Sequence, residues 1–522
     1  MRHSVLATRL MIYSALVLGA VVFAMPFVWM GATSVKVDRE LFTRELTIFP
    51  MAPRPRPVSP YIDEDYYPSA QGPHRDAVLA HLIHRVRRMG FAFPPDVDRA
   101  DAETQLARGL FDRLRRILPD AQWQGPVSAL LAAADKAVDR KMVAETFTRI
   151  DRRLILGPLR ARTLDLVEYV LDDSETTIAY DFRTTDRRTW TRTVPLEFDP
   201  ATLQRLQLNL HPDDTWHRLY LTVETAGRRY VAERPVVLVN FDWIVLTWRP
   251  PNPDDRSLTR AKTWITLVPA GTSTVTVPRQ MRLTFELRRS SLLRAWGEKI
   301  ALNYRRVLDY IPFWRYVKVS LVLVLLNVVL TLLSCSLVAY AFARLRWPGR
   351  DFCFALMLAT LMIPAQVTMI PHFLIWRYLG LYNTLVPLWL PSAFGVPFYI
   401  FLLRQFMKGI PTDLEDAARI DGAGFLRIYA YVILPLVRPS LTAIAIFTFL
   451  ASWNDFLGPL IYLSDQRLYP LAFGLFAFSL EAGNNPTLTM AASLLMTLPV
   501  IVIFFFTQRY FIQGITMTGL KA

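Results

Sequence analysis

Hydrophobic positions gather in six stretches, and a long polar middle separates the first stretch from the other five. The stretches cover residues 10–30, 318–342, 352–376, 385–403, 441–463 and 488–506. A bilayer core takes about 20 mostly apolar residues per helical span, so the pattern predicts six transmembrane helices. In the middle, "HRDAVLAHLIHRVRRMG" places Val78, Leu79, Leu82, Ile83 and Val86 on one helical face and ends at Gly90. "AETQLARGLFDRLRRIL" repeats the pattern, and a third helix is expected over residues 127–143. From about Thr163 the period becomes two. Leu219, Leu221 and Val223 share one strand face, Ala226-Gly227 supply a turn, and a returning strand follows. "VVLVNFDWIVLTW", "TWITLVP" and "QMRLTFELRR" read as further strands. The expected fold is an all-α polytopic membrane protein carrying an inserted α+β domain. Its helical part covers about residues 74–160 and its β-sandwich-like part about residues 163–290.

Charge orients the spans. Arg2 and Arg9 precede the first stretch, and Arg344, Arg346 and Arg350 lie between the second and third. Arg404, Lys408, Arg419, Arg427 and Arg438 lie between the fourth and fifth, and Arg509 and Lys521 follow the sixth. The positive-inside rule then places both termini in the cytoplasm and residues 35–313 outside, in a cell membrane. The middle is basic too, but long domains translocate largely regardless of charge. The first stretch has a signal peptide as its alternative. Its apolar part exceeds a usual h-region and "PFVWMGATS" is a poor cleavage site, so a retained anchor is expected. The formal net charge of +15 raises nucleic acid as a partner, but scattered arginines of a membrane protein explain it better. Both cysteines, Cys335 and Cys353, fall in apolar stretches, so the outside domain must be held by its own core.

The polar middle shows little chemistry. "MAPRPRPVSP" (residues 51–60) reads as an extended linker. His81 and His84 share a helix face, but arginines surround them and no third ligand is evident, so no metal is expected. "DDSE" (172–175) and "PNPDD" (251–255) read as turns without the spacing of a calcium loop. No nucleophile motif is present. An interaction or packing domain is the expectation.

The stretch "LEDAARIDGAGFLRIYAYVILPL" (residues 414–436) is charged and lies between two apolar runs. Thr412 and Glu415 have capping-box spacing, which predicts a helix start. Asp413, Glu415 and Asp416 sit near the positive end of its dipole, and Gly422 can end it left-handed. A helix of about nine residues is marginal alone and needs a partner surface. Ala417 and Ala418 leave one face nearly flat for close approach. After a turn at Gly424, a second helix is expected to stop before Pro435. The alternative is an ordinary surface helix between spans.

This stretch resembles the cytoplasmic coupling loop of permease subunits of binding-protein-dependent ABC importers, with the pattern E-A-A-x-x-x-G followed by I-x-L-P. Here it reads Asp416-Ala417-Ala418-Arg419-Ile420-Asp421-Gly422, then Val432-Ile433-Leu434-Pro435, with Asp for Glu and Val for Ile. "AYAFARLRWPGR" (339–350), "MIPAQVTMIPHFLIWRYLGLYNT" (362–384), "PFYIFLLRQFMKGIP" (397–411), "SWNDFLGPLIYL" (452–463) and "QRYFIQGITMTGLKA" (508–522) resemble the carbohydrate-uptake branch, on the side of the maltose-type second permease. The resemblance covers the first span and everything after about Asn303. "ELTIFPMAPRP" and "NYRRVLDYIPFWRYVKVSL" look like the two ends of a family segment, with about two hundred and fifty residues inserted between them.

The resemblance implies a transport subunit, not an enzyme, with no cofactor in this chain. The sequence has no P-loop, so ATP hydrolysis is expected in partner subunits. Implied partners are a second permease, a dimer of ATP-binding subunits, an extracytoplasmic solute-binding protein and a sugar substrate. Glu415, Asp416, Ala417, Ala418, Asp421, Gly422, Leu434 and Pro435 would couple to the ATP-binding subunit. Gln513 and Gly514 match a tail that can reach it. Asn454 and Asp455 are pathway candidates, since an intramembrane acid marks one by default, the alternative being interfacial polar residues bonded to a neighbouring helix. Two other classes compete: a membrane-anchored sensor or adhesin whose outside domain is the functional part, and an exporter subunit.

Overall fold

The computed structural model describes residues 2–41, 47–59, 61–64, 66–67, 71–239, 242–251, 264–273, 275, 277–481 and 485–516. For residues 2–10, 365, 481 and 507–516 only the backbone is described. "PNPDD" therefore lies mostly outside the described residues. The chain divides into two compact units: Met1–Pro50 with Leu302–Ala522, and Met51–Asp255 with Thr263–Ala301.

Helix α1 spans Arg2–Val35 and has Pro26 inside it. The Asn303 amide donates to the carbonyls of Ser34 (2.9 Å) and Lys36 (2.8 Å) at its end. Backbone carbonyls that the helix leaves without partners are thus satisfied by a side chain.

In the inserted unit, α2 (Arg75–Arg88) buries Val78, Leu82 and Val86, the face its period predicts. Helix α3 (Arg99–Ile117) starts where the Asp98 carboxylate accepts the N–H groups of Ala100 and Asp101. The expected third helix is two helices, α4 (Val127–Ala137) and α5 (Arg140–Thr148). Val138 is extended, and Asp139 caps α5 by accepting the Met142 N–H at 2.7 Å. Of the two histidines, His81 has its Nε2 3.1 Å from Asp135, which also pairs with Arg85 at 2.9 Å, and His84 is exposed. Among the described residues no cluster fit to hold a metal is present.

The strands begin earlier than the period-two reading suggests. β1 runs Leu154–Thr163, and its first four residues are all buried, so no alternation marks them. With β2 (Glu168–Asp172), β3 (Arg187–Pro195), β4 (Leu203–His211), β5 (Arg218–Thr225), β6 (Arg228–Ala232), β7 (Ile244–Arg249), β8 (Ile265–Pro269) and β9 (Gln280–Arg288), it forms one sheet path. The strand order is β2-β1-β4-β7-β8-β6-β5-β9-β3. Pairing is antiparallel except at the short β7–β8 junction, Trp248 opposite Ile265. Leu206, Leu208 and Trp248 from one half share a core with Leu221, Leu283 and Phe285 from the other, as in two packed layers. The run "VVLVNFDWIVLTW" is not one strand. Val236–Val237 pairs with β5, and β7 starts at Ile244. Deep in this unit, His217 Nε2 is 2.8 Å from the Arg56 carbonyl, while its Nδ1 accepts the Ser290 N–H at 3.2 Å.

The other unit is helical. After α6 (Leu292–Tyr310) comes α7 (Phe313–Arg344), 32 residues without interruption. Four described helices are long and apolar enough to cross a membrane: Met11–Val35, Phe313–Arg344, Val386–Lys408 and Pro486–Phe506. Phe425–Leu436 and Arg438–Trp453, bent by 78°, make a fifth if counted as one span. Six uninterrupted helices are therefore not what the six apolar stretches form. Residues 352–376 divide into α8 (Arg350–Thr360) and α9 (Ala365–Tyr378), because Pro364 sits extended at the break. The 385–403 stretch contains a 3₁₀ turn before α10 (Pro397–Lys408). After α11 (Asp413–Ile420), α12 (Arg438–Trp453) and α13 (Leu457–Tyr462), the chain ends in α14 (Leu471–Glu481) and α15 (Pro486–Thr516).

One glycine fixes a close approach here. A Cβ on Gly474 of α14 would collide with the ring of Tyr316 on α7. Gly474→Val is therefore expected to force the ring aside at about 1–3 kcal/mol, read as a lowered melting temperature of the detergent-purified protein. An unchanged melting temperature would mean the helices can separate freely.

Candidate functional site

The stretch at residues 411–436 forms a compact helical loop. The Thr412 carbonyl accepts the N–H groups of Glu415 (2.9 Å) and Asp416 (3.0 Å), which starts α11. The expected capping box does not form. Thr412 is itself helical and its side chain makes no capping bond. Glu415 is instead buried, its carboxylate 2.8 Å from the Arg344 guanidinium at the end of α7. The long-range ion pair takes the carboxylate that a capping box would have used.

The end of α11 is as expected. Gly422 has φ +81°, its N–H bonds the Arg419 carbonyl, and the Ala423 N–H bonds that of Ala418. These two bonds define a Schellman cap. The second helix does not stop before Pro435. It runs from Phe425 through a π turn at Tyr429–Ile433 to Leu436. A π turn re-registers the backbone ladder, so the missing proline N–H is accommodated and the helix ends one residue later. Asp416, Ala417, Asp421 and Gly422 are exposed, while Ala418, Leu434 and Pro435 are half-buried. Leu414, Ile420, Phe425, Leu426 and Tyr431 also present apolar side chains to the surface of this loop. Exposed apolar side chains grouped on a charged loop are what a docking surface would present.

A second feature is a cavity of about 400 Å³ between α7, α10 and α12. Asn327, Ser392, Tyr399, Ser452 and Asp455 line it. The Asn327 amide donates to Ser452 Oγ (3.1 Å) and the Leu388 carbonyl (3.2 Å), and its Oδ1 accepts from Ser392 Oγ (2.5 Å). Asp455 lines the cavity and accepts the Gly458 N–H at 3.0 Å. Asn454 does not join it: the side chain is exposed and donates back to the Leu450 carbonyl at 2.9 Å. Gln513 and Gly514 lie in α15, beyond the described side chains. The sequence reading missed Asn327, Ser392 and Ser452. An amide in the middle of an apolar span was the available signal.

Residues 333–517 match the family described as "Binding-protein-dependent transport system inner membrane component". The chain belongs to this family of multi-pass inner membrane permeases. It is 41% identical over 209 residues to the arabinooligosaccharides transport system permease protein AraQ of Halalkalibacterium halodurans, covering 40% of this chain and 75% of that protein. It is 35% identical over 219 residues to the lactose transport system permease protein LacG of Rhizobium radiobacter, covering 42% of this chain and 78% of that one. A crystal structure of a bacterial ABC transporter that imports alginate matches with a TM-score of 0.36 and 29% identity, over 40% of this chain and 79% of that chain. The relatives are transport subunits, and nothing among them supports a sensor or adhesin.

Proposed function

We propose that this chain forms half of the translocation pathway of an ATP-driven carbohydrate importer. It pairs with a second permease, docks on a dimer of ATP-binding subunits and receives sugar from an extracytoplasmic solute-binding protein. The observation that carries this reading is the loop around α11, a capped helix with an exposed apolar and small-residue face inside the family-matched region. Closure of the ATP-binding subunits displaces this loop and switches the helices between two arrangements, a rigid-body change. The substrates in the relatives' names, arabinooligosaccharides and lactose, favour an oligosaccharide. In cells, deleting the chain should abolish ATP-dependent uptake of the oligosaccharide it serves. Uptake that persists for every oligosaccharide tried would reject the reading.

In this reading there are six membrane crossings, the fragmented stretches each counting as one, with both termini in the cytoplasm and the inserted unit outside. Reporter fusions after Arg350 should behave as cytoplasmic and those near Gly227 as exported; the reverse pattern would reject it. The insert acts by contacting another protein, the incoming solute-binding protein, because both occupy the same compartment. The Met51–Ala301 fragment should be soluble and unfold cooperatively. Replacing it with a short Gly/Ser linker should keep membrane assembly and weaken uptake at low sugar. An unfolded fragment, or unchanged uptake, would reject the docking role.

A further inference from the structure

Helix α7 carries a polar stripe that the loop reading does not use. Ser336, Tyr340 and Arg344 recur every four residues, so they lie along one helix face. Each meets a different part of the 411–436 loop or its approach. Ser336 Oγ is 2.7 Å from Tyr429 Oη, and Tyr340 Oη donates to the Phe425 carbonyl at 3.2 Å. Arg344 pairs with Glu415 at 2.8 Å and donates to the Met407 and Ile410 carbonyls, both at 2.6 Å. The last two are near the C-terminal end of α10, where a cation is favoured.

All of these contacts are dry. Ser336 is 1% and Tyr340 3% exposed, and the Arg344 and Glu415 side chains are 8% and 3% exposed. A buried pair cannot slide past its partner without leaving an uncompensated charge. The loop and the end of α7 therefore move together. The same helix lines the cavity with Leu323, Asn327 and Thr331. From Asn327 to Arg344 there are 17 steps (344 − 327), about 26 Å at 1.5 Å per residue, with no proline or glycine between them. Kinks concentrate at such residues and at π turns; α7 has neither over this stretch and runs through it as one helix.

We propose that Ser336, Tyr340 and Arg344, with Glu415, are positioning residues that make α7 follow the coupling loop and deliver its displacement to the cavity wall. This rests on the importer reading above. The role of the four is to hold one helix face to one loop.

The test needs no knowledge of the sugar. In a Cys353→Ser background, Ala451→Cys places a thiol on the exposed part of the cavity wall, and the native Cys335 is buried. The complex purified with its ATP-binding subunits is labelled with a maleimide, with and without ATP plus vanadate. In the parent, trapping nucleotide should change the labelling rate about fivefold or more, the scale of a 1 kcal/mol population shift. In Tyr340→Phe and in the double variant Ser336→Ala/Tyr340→Phe, which remove only hydroxyls, nucleotide should still be trapped while the labelling response shrinks to less than about half. A full labelling response in these variants overturns the proposal. So does loss of nucleotide trapping in parallel with the response, which would make the residues merely structural. A parent complex that traps nucleotide with no change in labelling at all would sink the importer reading itself.

Discussion

Gly422→Val is expected to cut coupled uptake by roughly five- to thirtyfold, while Gly422→Asn stays near the parent. The reasoning is confined to the backbone. An added Cβ at Gly422 meets nothing within 4 Å, so no clash is involved. What matters is φ +81°. A non-glycine residue there costs about 1–2 kcal/mol, which is roughly five- to thirtyfold in an equilibrium. A β-branched residue is worse, and asparagine is tolerated best. The strain would undo the Schellman cap and let α11 fray, and a helix of eight residues has little else to hold it. Uptake and co-purification of the ATP-binding subunit should be measured together. Equal losses in Val and Asn variants would point to the side chain, and normal uptake in both would remove this loop from the coupling route.

Acidification should destabilise the inserted unit. Burial holds the His217 imidazole down at about 4, from a usual 6.5. Its hydrogen bonds agree, since an Nδ1 that accepts the Ser290 N–H cannot also carry a proton. The folded-state pKa is depressed, so between these values the unfolded chain binds more protons. Stability from this group is full above about pH 6.5 and falls as pH drops to about 4, by about 3 kcal/mol in all. Asp213 opposes the trend: its burial raises its pKa, so its cost grows as pH rises through that titration. The denaturant midpoint of the Met51–Ala301 fragment should therefore fall between pH 7 and pH 5, and His217→Gln should flatten the fall. A midpoint independent of pH would show that the ring accepts a proton in place.

What the sequence made legible was local. The Gly422 cap, the Val78–Leu82–Val86 face and the strand face of Leu219, Leu221 and Val223 follow from residues a few positions apart. The misreadings share a cause in distance. Glu415 looked like a capping partner for Thr412, three residues away, and is claimed by Arg344, seventy-one residues earlier (415 − 344). The start of β1 was hidden because Leu154–Gly157 is buried on both faces and shows no period. The split at Val138 turned on one carboxylate, Asp139, which helix periodicity does not register. In the membrane unit, hydropathy reported where apolar residues lie, and the breaks in the third and fourth stretches fall at prolines that the sequence shows plainly, Pro364 first among them. The cavity was found only through Asp455, because charge is conspicuous in an apolar run. The neutral amide and hydroxyls that surround it are not.

The uninterrupted length of α7 sets where its polar stripe lies in the bilayer. Thirty-two residues rise about 48 Å, against about 30 Å of hydrocarbon. Measured from Lys318, the first charge within its apolar part, about twenty residues of hydrocarbon end near Val338. Ser336 is then level with the edge of the acyl layer, and Tyr340 and Arg344 are level with the headgroups, each shielded by the protein packed around it. A hydroxyl at that interface suits an aromatic ring. Parting the loop from α7 would therefore let water and phosphate reach the C-terminal end of the helix first, and the dryness of the Arg344–Glu415 pair is what makes that opening costly.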